Sequence, residues 1–298
     1  ALVAWQELGG VRYVQLDEAL QPITDVGAWT IAELGLDPKV AAGPDGGYCV
    51  AGIVDDAAPK VSCFDALGAP LSGSSWPMAS FGGIEIDGKH DLIGTDSGYL
   101  YIYVPDATAH TLWAEPLSLD GASAGLGFEI AALPNPLGSW VGQAGATIGP
   151  GFVALAGELG SQRMPTAHTL YYRPFMDSAL PSFEPDRVGS WTPEGSDFEG
   201  TVVAHTSGRF AIAWLTSVTW ALDNVSECEL SVRLFEPDAT PHGGELTLFE
   251  PGSSRCVQGV RGVSDADGDV LWTWRRLQQG GTTTTMQAAF TPRLLGWP

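Results

Sequence analysis

The sequence predicts an all-β fold: a six-bladed β-propeller of four-stranded antiparallel blades with an irregular closure at the terminal blade. Three observations lead there. First, a strand-like phrase of alternating bulky character recurs six times. The copies are Ala1-Leu-Val-Ala-Trp5, Tyr48-Cys-Val-Ala-Gly52, Tyr99-Leu-Tyr-Ile-Tyr103, Phe152-Val-Ala-Leu-Ala156, Phe210-Ala-Ile-Ala-Trp214 and Val270-Leu-Trp-Thr-Trp274, spaced by 47, 51, 53, 58 and 60 residues. Self-similarity at that period is the mark of an array of one supersecondary unit, and strand-like units point to a propeller. Second, an apolar residue is followed six later by Pro at Leu16/Pro22, Phe64/Pro70, Phe175/Pro181 and Phe235/Pro241, which gives an independent mark of the same period. Third, 38 Gly and 21 Pro suit many short strands joined by turns, and no stretch keeps a helical period. The nearest, Thr24 to Leu36, is interrupted by Gly27 and Gly35.

The period makes the whole chain, 1–298, one domain with approximate repeats 1–36, 37–83, 84–140, 141–198, 199–255 and 256–298. Within a repeat, four strands A to D run from the axis outward. Strand A is a run of small residues such as Lys39-Val-Ala-Ala-Gly43 or Thr201-Val-Val-Ala-His205. A tight turn follows, as in Pro44-Asp-Gly46, Asp96-Ser-Gly98 and Thr206-Ser-Gly208, where Gly accepts a positive φ. Strand B is the recurring phrase. Strand C alternates, as in Val11 to Leu16 and Leu230 to Phe235. The Pro beyond strand C ends that strand and opens the next turn, because it lacks a ladder donor. The first repeat has no strand A, and the last leaves only Arg293 to Pro298 for a strand D.

Asp-Gly, then a bulky alternating strand ending in Trp, then a strand closing on apolar-Asp/Glu-x-x-x-x-Pro, resembles the repeats of bacterial extracellular β-propeller proteins. The residues that carry the likeness are Val3-Ala-Trp-Gln6 with Leu16-Asp17, and Phe210-Ala-Ile-Ala-Trp214 with Phe235-Glu236. The resemblance implies the propeller architecture and a secreted, cell-surface or periplasmic location. Its motifs are structural, so it carries no functional residue.

The formal net charge of −21 repels nucleic acid and anionic membrane surfaces. No apolar run has the length a membrane span needs, so no membrane insertion is expected. Four Cys suit two disulfides and an exported chain. Cys49 and Cys63 lie on opposite arms of a hairpin turning near Asp55 to Lys60, which makes a bridge feasible. Cys228 and Cys256 are the remaining pair.

No nucleophile elbow, P-loop, dinucleotide fingerprint or zinc spacing is present. The repeat alignment offers other candidates. Nine residues before each strand B stand Lys39, His90, Gln143, Thr201 and Arg261, all polar in strands otherwise made of small and apolar residues. Strand A lines the channel, so this column is expected as a ring of ligand-binding side chains at one channel mouth, open to water. Asp37, Asp91 and Glu199 are its expected counter-charges. Trp220 stands in an inserted loop between strands B and C of the fifth repeat, Leu215 to Glu227, and insertions on a regular scaffold are where binding is built. The fourth repeat has a similar insertion, Glu158 to His168. Trp29, Trp76, Trp140 and Trp191 follow small residues near D–A connections. Asp265, Asp267 and Asp269 form a D-x-D-G-D string that resembles the start of a calcium loop but also occupies an ordinary A–B turn.

These features point to a monomeric recognition module that binds a carbohydrate or a protein partner through its loop face. The competing expectation is a hydrolase or lyase with a cation-assisted site at the channel mouth, calcium being the cation the aspartate string would suit. A purely structural surface domain is the third.

Overall fold

A computed structural model describes residues 2–7, 10–15, 36–54, 58–71, 90–103, 111–132, 139–148, 151–159, 168–175, 186–191, 200–217, 220–221, 224–225, 228–238, 240–249, 256–277 and 284–296. All regular structure among them is β. In chain order, β1 (Leu2–Glu7) and β2 (Gly10–Gln15) make the first sheet. β3 (Leu36–Ala42), β4 (Tyr48–Val54) and β5 (Ala58–Phe64) make the second. The third is β6 (His90–Thr95), β7 (Gly98–Tyr103), β8 (Thr111–Leu117) and β9 (Phe128–Ala132); the fourth is β10 (Ser139–Ile148), β11 (Gly151–Leu159), β12 (His168–Phe175) and β13 (Asp186–Trp191). The fifth comprises β14 (Gly200–Ala204) and β15 (Phe210–Ser217), then, beyond a small hairpin of β16 (Trp220–Ala221) and β17 (Asn224–Val225), β18 (Cys228–Phe235) and β19 (Pro241–Phe249). The sixth is β20 (Cys256–Ser264), β21 (Val270–Leu277) and β22 (Thr284–Thr291). Every sheet is an antiparallel meander, and each recurring phrase lies in the expected strand. The chain divides into two compact units, Ala1–Ala132 and Leu133–Pro298.

The turns explain both sequence marks. Five-residue hairpin turns recur at Gly43–Gly47, Asp65–Ala69, Ser118–Ala122, His205–Arg209 and Asp265–Asp269. In each, the first N–H donates to the fifth C=O and the fourth N–H donates back to the first C=O. The fourth residue is Gly46, Gly68, Gly121, Gly208 or Gly268, with φ between 80° and 85° in all five. That left-handed position strains any side chain with a Cβ, so Gly is needed there. The apolar-to-Pro mark spans the same kind of turn: Phe64 pairs with Pro70, and Phe235 with Pro241. In the third sheet, Leu117 and Ser123 hold the same positions.

Within each unit, sheets pack face to face through the alternation in the recurring phrase. In the pairs described, residues one, three and five of the phrase face the preceding sheet, and residues two and four face the following one. In the first unit, Tyr99, Tyr101 and Tyr103 therefore meet Cys49 and Ala51, joined by Ala41, Val61, Cys63, Leu92 and Leu117. Tyr48, Val50 and Phe64 meet Tyr13 of the first sheet. In the second unit, Trp272 and Trp274 meet Ala211 and Ala213, with Val203, Leu230, Val232, Leu234 and Val260. Large side chains on one sheet thus fill the space left by small ones on the next, which is how a close-packed layer forms without voids. β7 is buried at every position.

The Cys49–Cys63 disulfide is present. The two residues are directly paired across β4 and β5, with Cα atoms 4.1 Å apart. The backbone at Gly121 of the third sheet lies against this bridge, so closely that a Cβ there would overlap the Cys63 sulfur. The side chains of Cys228 and Cys256 lie outside the described residues.

Candidate functional site

The polar column occupies two register positions rather than one. Lys39 pairs with Ala51, Thr201 with Ala213 and Arg261 with Thr273, each opposite the fourth residue of its phrase. His90 pairs with Tyr103 and Gln143 with Ala156, each opposite the fifth. Turn length is the cause. A count of nine crosses a five-residue turn in the second, fifth and sixth sheets, but Thr95 pairs directly with Gly98 and Ile148 with Gly151 in the third and fourth. A one-residue difference places a strand residue on the opposite face. Lys39 and Thr201 accordingly sit toward the following sheet, whereas His90 sits toward the preceding one.

Burial separates the five further. Lys39, His90 and Thr201 are buried, and Arg261 is exposed. His90 is sealed within the layer between the second and third sheets, and its Nδ1 is 2.9 Å from the Tyr101 hydroxyl. Tyr101 in turn stacks on Tyr103, with centroids 5.6 Å apart. Lys39 enters the same layer from the second sheet, in the row formed with Ala51 and Val61. Burial foremost, with the Glu115 carboxylate second, pushes the Tyr103 hydroxyl well above the usual phenol range. Burial and then Asp45 push Tyr99 up to about 12. Sequence reasoning passed over Tyr101. The available signal was the alternation of three tyrosines in Tyr99-Leu-Tyr-Ile-Tyr103, which puts all three on one face.

Arg261 donates from Nη1 to the Val260 carbonyl at 2.9 Å. Of the expected counter-charges, Asp91 accepts the N–H of Leu92 at 2.9 Å, while the side chain of Asp37 and all of Glu199 lie outside the described residues. The side chains of Gln143, Trp140 and Trp191 also lie outside them, as do Trp29 and Trp76.

The aspartate string is accounted for by its turn. Asp265 Oδ1 accepts the N–H groups of Asp267 at 3.0 Å and Asp269 at 2.9 Å, and Asp269 Oδ1 accepts the N–H of Arg293 at 2.6 Å. Among the described residues, no three His, Cys, Asp or Glu side chains gather as a metal-binding group. Two of the three carboxylates, those of Asp265 and Asp269, are engaged through Oδ1 in holding backbone.

The ends of β14 and β20 are tied by side chains. Ser264 Oγ donates to the Ala204 carbonyl at 2.5 Å, and His205 Nε2 lies 3.0 Å from the Ala266 carbonyl. A carbonyl cannot donate, so Nε2 carries the proton and Nδ1 is left to accept the N–H of Ser207 at 3.2 Å. Nearby, Glu236 accepts from Arg209 Nε at 3.2 Å and bonds His242 Nδ1 at 2.8 Å.

Trp220 lies in the insertion of the fifth sheet. The insertion folds back as the hairpin β16–β17, in which Trp220 pairs with Val225 and Ala221 with Asn224. It leaves the sheet between β15 and β18, at the end opposite the five-residue turns. Of the fourth-sheet insertion, residues 160–167 lie outside the described set.

No protein-family model matches this chain, and no curated protein matches it. Solved structures do. One is an α-L-arabinanase of Penicillium chrysogenum complexed with arabinobiose, with a TM-score of 0.56 at 12% identity, covering 90% of this chain and 80% of that one. Another is a mutant of the Aleuria aurantia lectin in complex with Fucα1-6GlcNAc, with a TM-score of 0.55 at 13% identity, covering 100% of this chain and 93% of that one. A further structure of that lectin, described as a six-bladed β-propeller with a novel mode of fucose recognition, matches with a TM-score of 0.50 at 12% identity over 100% and 96% of the two chains. At such identities the likeness speaks to fold alone, and the fold it shows is the β-propeller.

Proposed function

We propose that this chain is a secreted, six-bladed, single-domain β-propeller that recognises a carbohydrate through the end of the blades carrying the long loops. The observation that carries the reading is the hairpin β16–β17, an insertion in an otherwise regular meander whose first residue is Trp220. A Trp face suits sugar C–H groups, and loops on a rigid scaffold are where binding is built. The shared fold with a lectin bound to a fucose disaccharide and with an arabinanase bound to arabinobiose supports a sugar as the ligand class. The Cys49–Cys63 disulfide supports an oxidising, extracellular setting.

In this reading Trp220 is the contact residue, and Arg261 is the exposed member of the polar column that can reach a ligand. Lys39, His90 and Thr201 are buried and act by holding the sheets beneath, and Gln143 belongs with His90 by register. A glycan array with the full chain tests the proposal. Specific retention of one or a few glycans, lost at least tenfold on Trp220→Ala, is the expected result. A blank array, or retention unchanged in that variant, overturns it.

The second reading is a hydrolase or lyase, favoured by the fold likeness to an arabinanase. Release of reducing ends from arabinan or a related polysaccharide would move the assignment to it.

A further inference from the structure

The Cys49–Cys63 bridge lies in the layer between the second and third sheets, and both of its residues are sealed from solvent. Cys49 and Cys63 are each 0% exposed and sit in one cluster with Val61, Tyr99, Tyr101 and Leu117. The third sheet closes over the sulfur with backbone. Gly121 holds the fourth position of the turn Ser118–Ala122, and a Cβ there would lie 2.7 Å from Cys63 Sγ and 3.6 Å from Val61 Cγ1. The φ of 82° calls for Gly on its own account. The contact adds a second demand: Cys63 Sγ has no room to move toward the turn.

The parts around the bridge differ in how readily they yield. β4 and β5 pair without a break from Tyr48 and Phe64 to Val54 and Ala58, with the two cysteines directly opposed. Tyr99 and Tyr101 are buried within the layer, and a close-packed interior does not compress. The turn is different. Ser118 donates its N–H to the Ala122 carbonyl at 2.8 Å, Gly121 to the Ser118 carbonyl at 2.9 Å, and Ala122 to Asp120 Oδ1 at 3.2 Å, so the turn is braced by its own bonds. Its outer side meets solvent, since Leu119 and Ser123 to Leu126 are exposed. It can shift as a unit where the rest cannot.

Reduction changes the space needed at this point. A dithiol supplies two electrons and two protons, the S–S bond breaks, two thiols form, and the reductant closes into its own disulfide. Joined sulfurs sit at covalent distance, whereas two thiols keep van der Waals separation. With the strands held by their pairing, the added separation falls on Cys63 Sγ and through it on Gly121.

We infer that the bridge is a redox-read latch. The turn Ser118–Ala122 seats on the second sheet only while Cys49 and Cys63 are joined. Reduction lifts it off, so the layer closes fully only in an oxidising setting. The matching layer of the second unit has Ala211 and Leu234 in these places, and it closes whatever the redox state.

The test is NMR of the full chain, reading the contact between the Gly121 α-protons and the Cys63 β-protons. It is expected in the oxidised chain, to fall at least tenfold in dithiothreitol and to return on reoxidation. Amide exchange in β7 shows that the layer stays folded. Loss of a cross-link lowers stability without moving the turn, so two variants measured in reductant separate the causes. Cys49→Ala leaves the Cys63 thiol beside a smaller neighbour, and the contact is expected to persist. Cys49→Val restores the bulk of an unbonded partner, and the contact is expected to be lost. Contact retained in the reduced parent chain or in Cys49→Val overturns the inference, and so does its loss in Cys49→Ala. If reduction opens the whole layer of the parent chain, seen as fast exchange throughout β7, the comparison of the two variants decides. Opening of the layer in Cys49→Ala also overturns the inference, because the cross-link and not the fit of the turn then holds the sheets together.

Discussion

The layer between the second and third sheets and the layer between the fifth and sixth have the same backbone plan and different chemistry. In the first unit the rows are Lys39–Ala51–Val61 and Ala41–Cys49–Cys63; in the second they are Thr201–Ala213–Val232 and Val203–Ala211–Leu234. Against the first stand tyrosines, with His90 and a disulfide; against the second stand Trp272 and Trp274 in an apolar setting. The inner strands approach at the same position in both. A Cβ at Gly94 would overlap the Ala42 carbonyl oxygen, while Ser264, the equivalent residue, donates its hydroxyl to Ala204. The comparison teaches that the repeat specifies where large meets small, and leaves open whether polar bonds, a covalent bridge or apolar burial holds the layer.

If the fifth–sixth layer depends on apolar volume, its largest loss follows from emptying it. Trp272 is fully buried, lies over Gly262 and donates its indole N–H to Thr291 Oγ1 at 3.1 Å. Trp272→Ala is expected to cost about 3–5 kcal/mol through lost burial and a cavity. Urea unfolding reads the cost. Hydrogen exchange should place the opening in β14, β15, β20 and β21, with β4 and β7 unchanged, because additive effects stay local when sites share no partners.

The second–third layer should respond to reduction instead. The Cys49–Cys63 bridge closes a loop with a sequence separation of 14, which is worth about 3 kcal/mol in the chain-entropy account. Reductant, or the paired Cys49→Ala and Cys63→Ala changes, should lower the denaturation midpoint and loosen β4 and β5. Equal loosening of β15 and β21 would show that the two layers form one cooperative block.

Much of this plan was legible in the sequence. The six phrases, the glycines at turn position four and the apolar-to-Pro mark are local: each states a backbone requirement within a few residues. The Cys49–Cys63 pairing was legible for the same reason, since both cysteines sit on one hairpin. The polar column was less so. Lys39, His90, Gln143, Thr201 and Arg261 share a residue count, but Gly98 and Gly151 belong to strands where Gly47 and Arg209 belong to turns, and register follows pairing rather than count. Burial was hidden too, because His90 is enclosed by side chains such as Tyr101 that come from a different strand. In the aspartate string, the sequence could not tell a carboxylate bonded to its own turn from one free to bind a cation.

The smallest expected effect compares the turns that follow β8 and β18. Asp120 and Asp238 hold the third position of these turns. Asp120 is held below the usual carboxylate range first by the Ser118 hydroxyl, 2.5 Å away, and then by the N–H of Ala122. Asp238 is held down first by the Thr240 hydroxyl at 2.6 Å and then by the N–H of the same residue. The hydroxyl thus comes from the first turn position in one unit and the fifth in the other. A carboxylate whose folded value is lowered adds stability above its unfolded value, and that stability is lost as pH falls through the ordinary range and down to the folded value. Both groups lie at the surface, so global stability should barely move, and the readout is the carboxyl carbon shift followed by NMR during acid titration. Ser118→Ala should raise the Asp120 titration toward its ordinary value and leave Asp238 in place, and Thr240→Val should do the reverse. If either change moves both titrations, the two turns are coupled through the fold. If neither moves, the backbone N–H groups alone hold these carboxylates, and the hydroxyls of the two units are interchangeable ornaments on one turn.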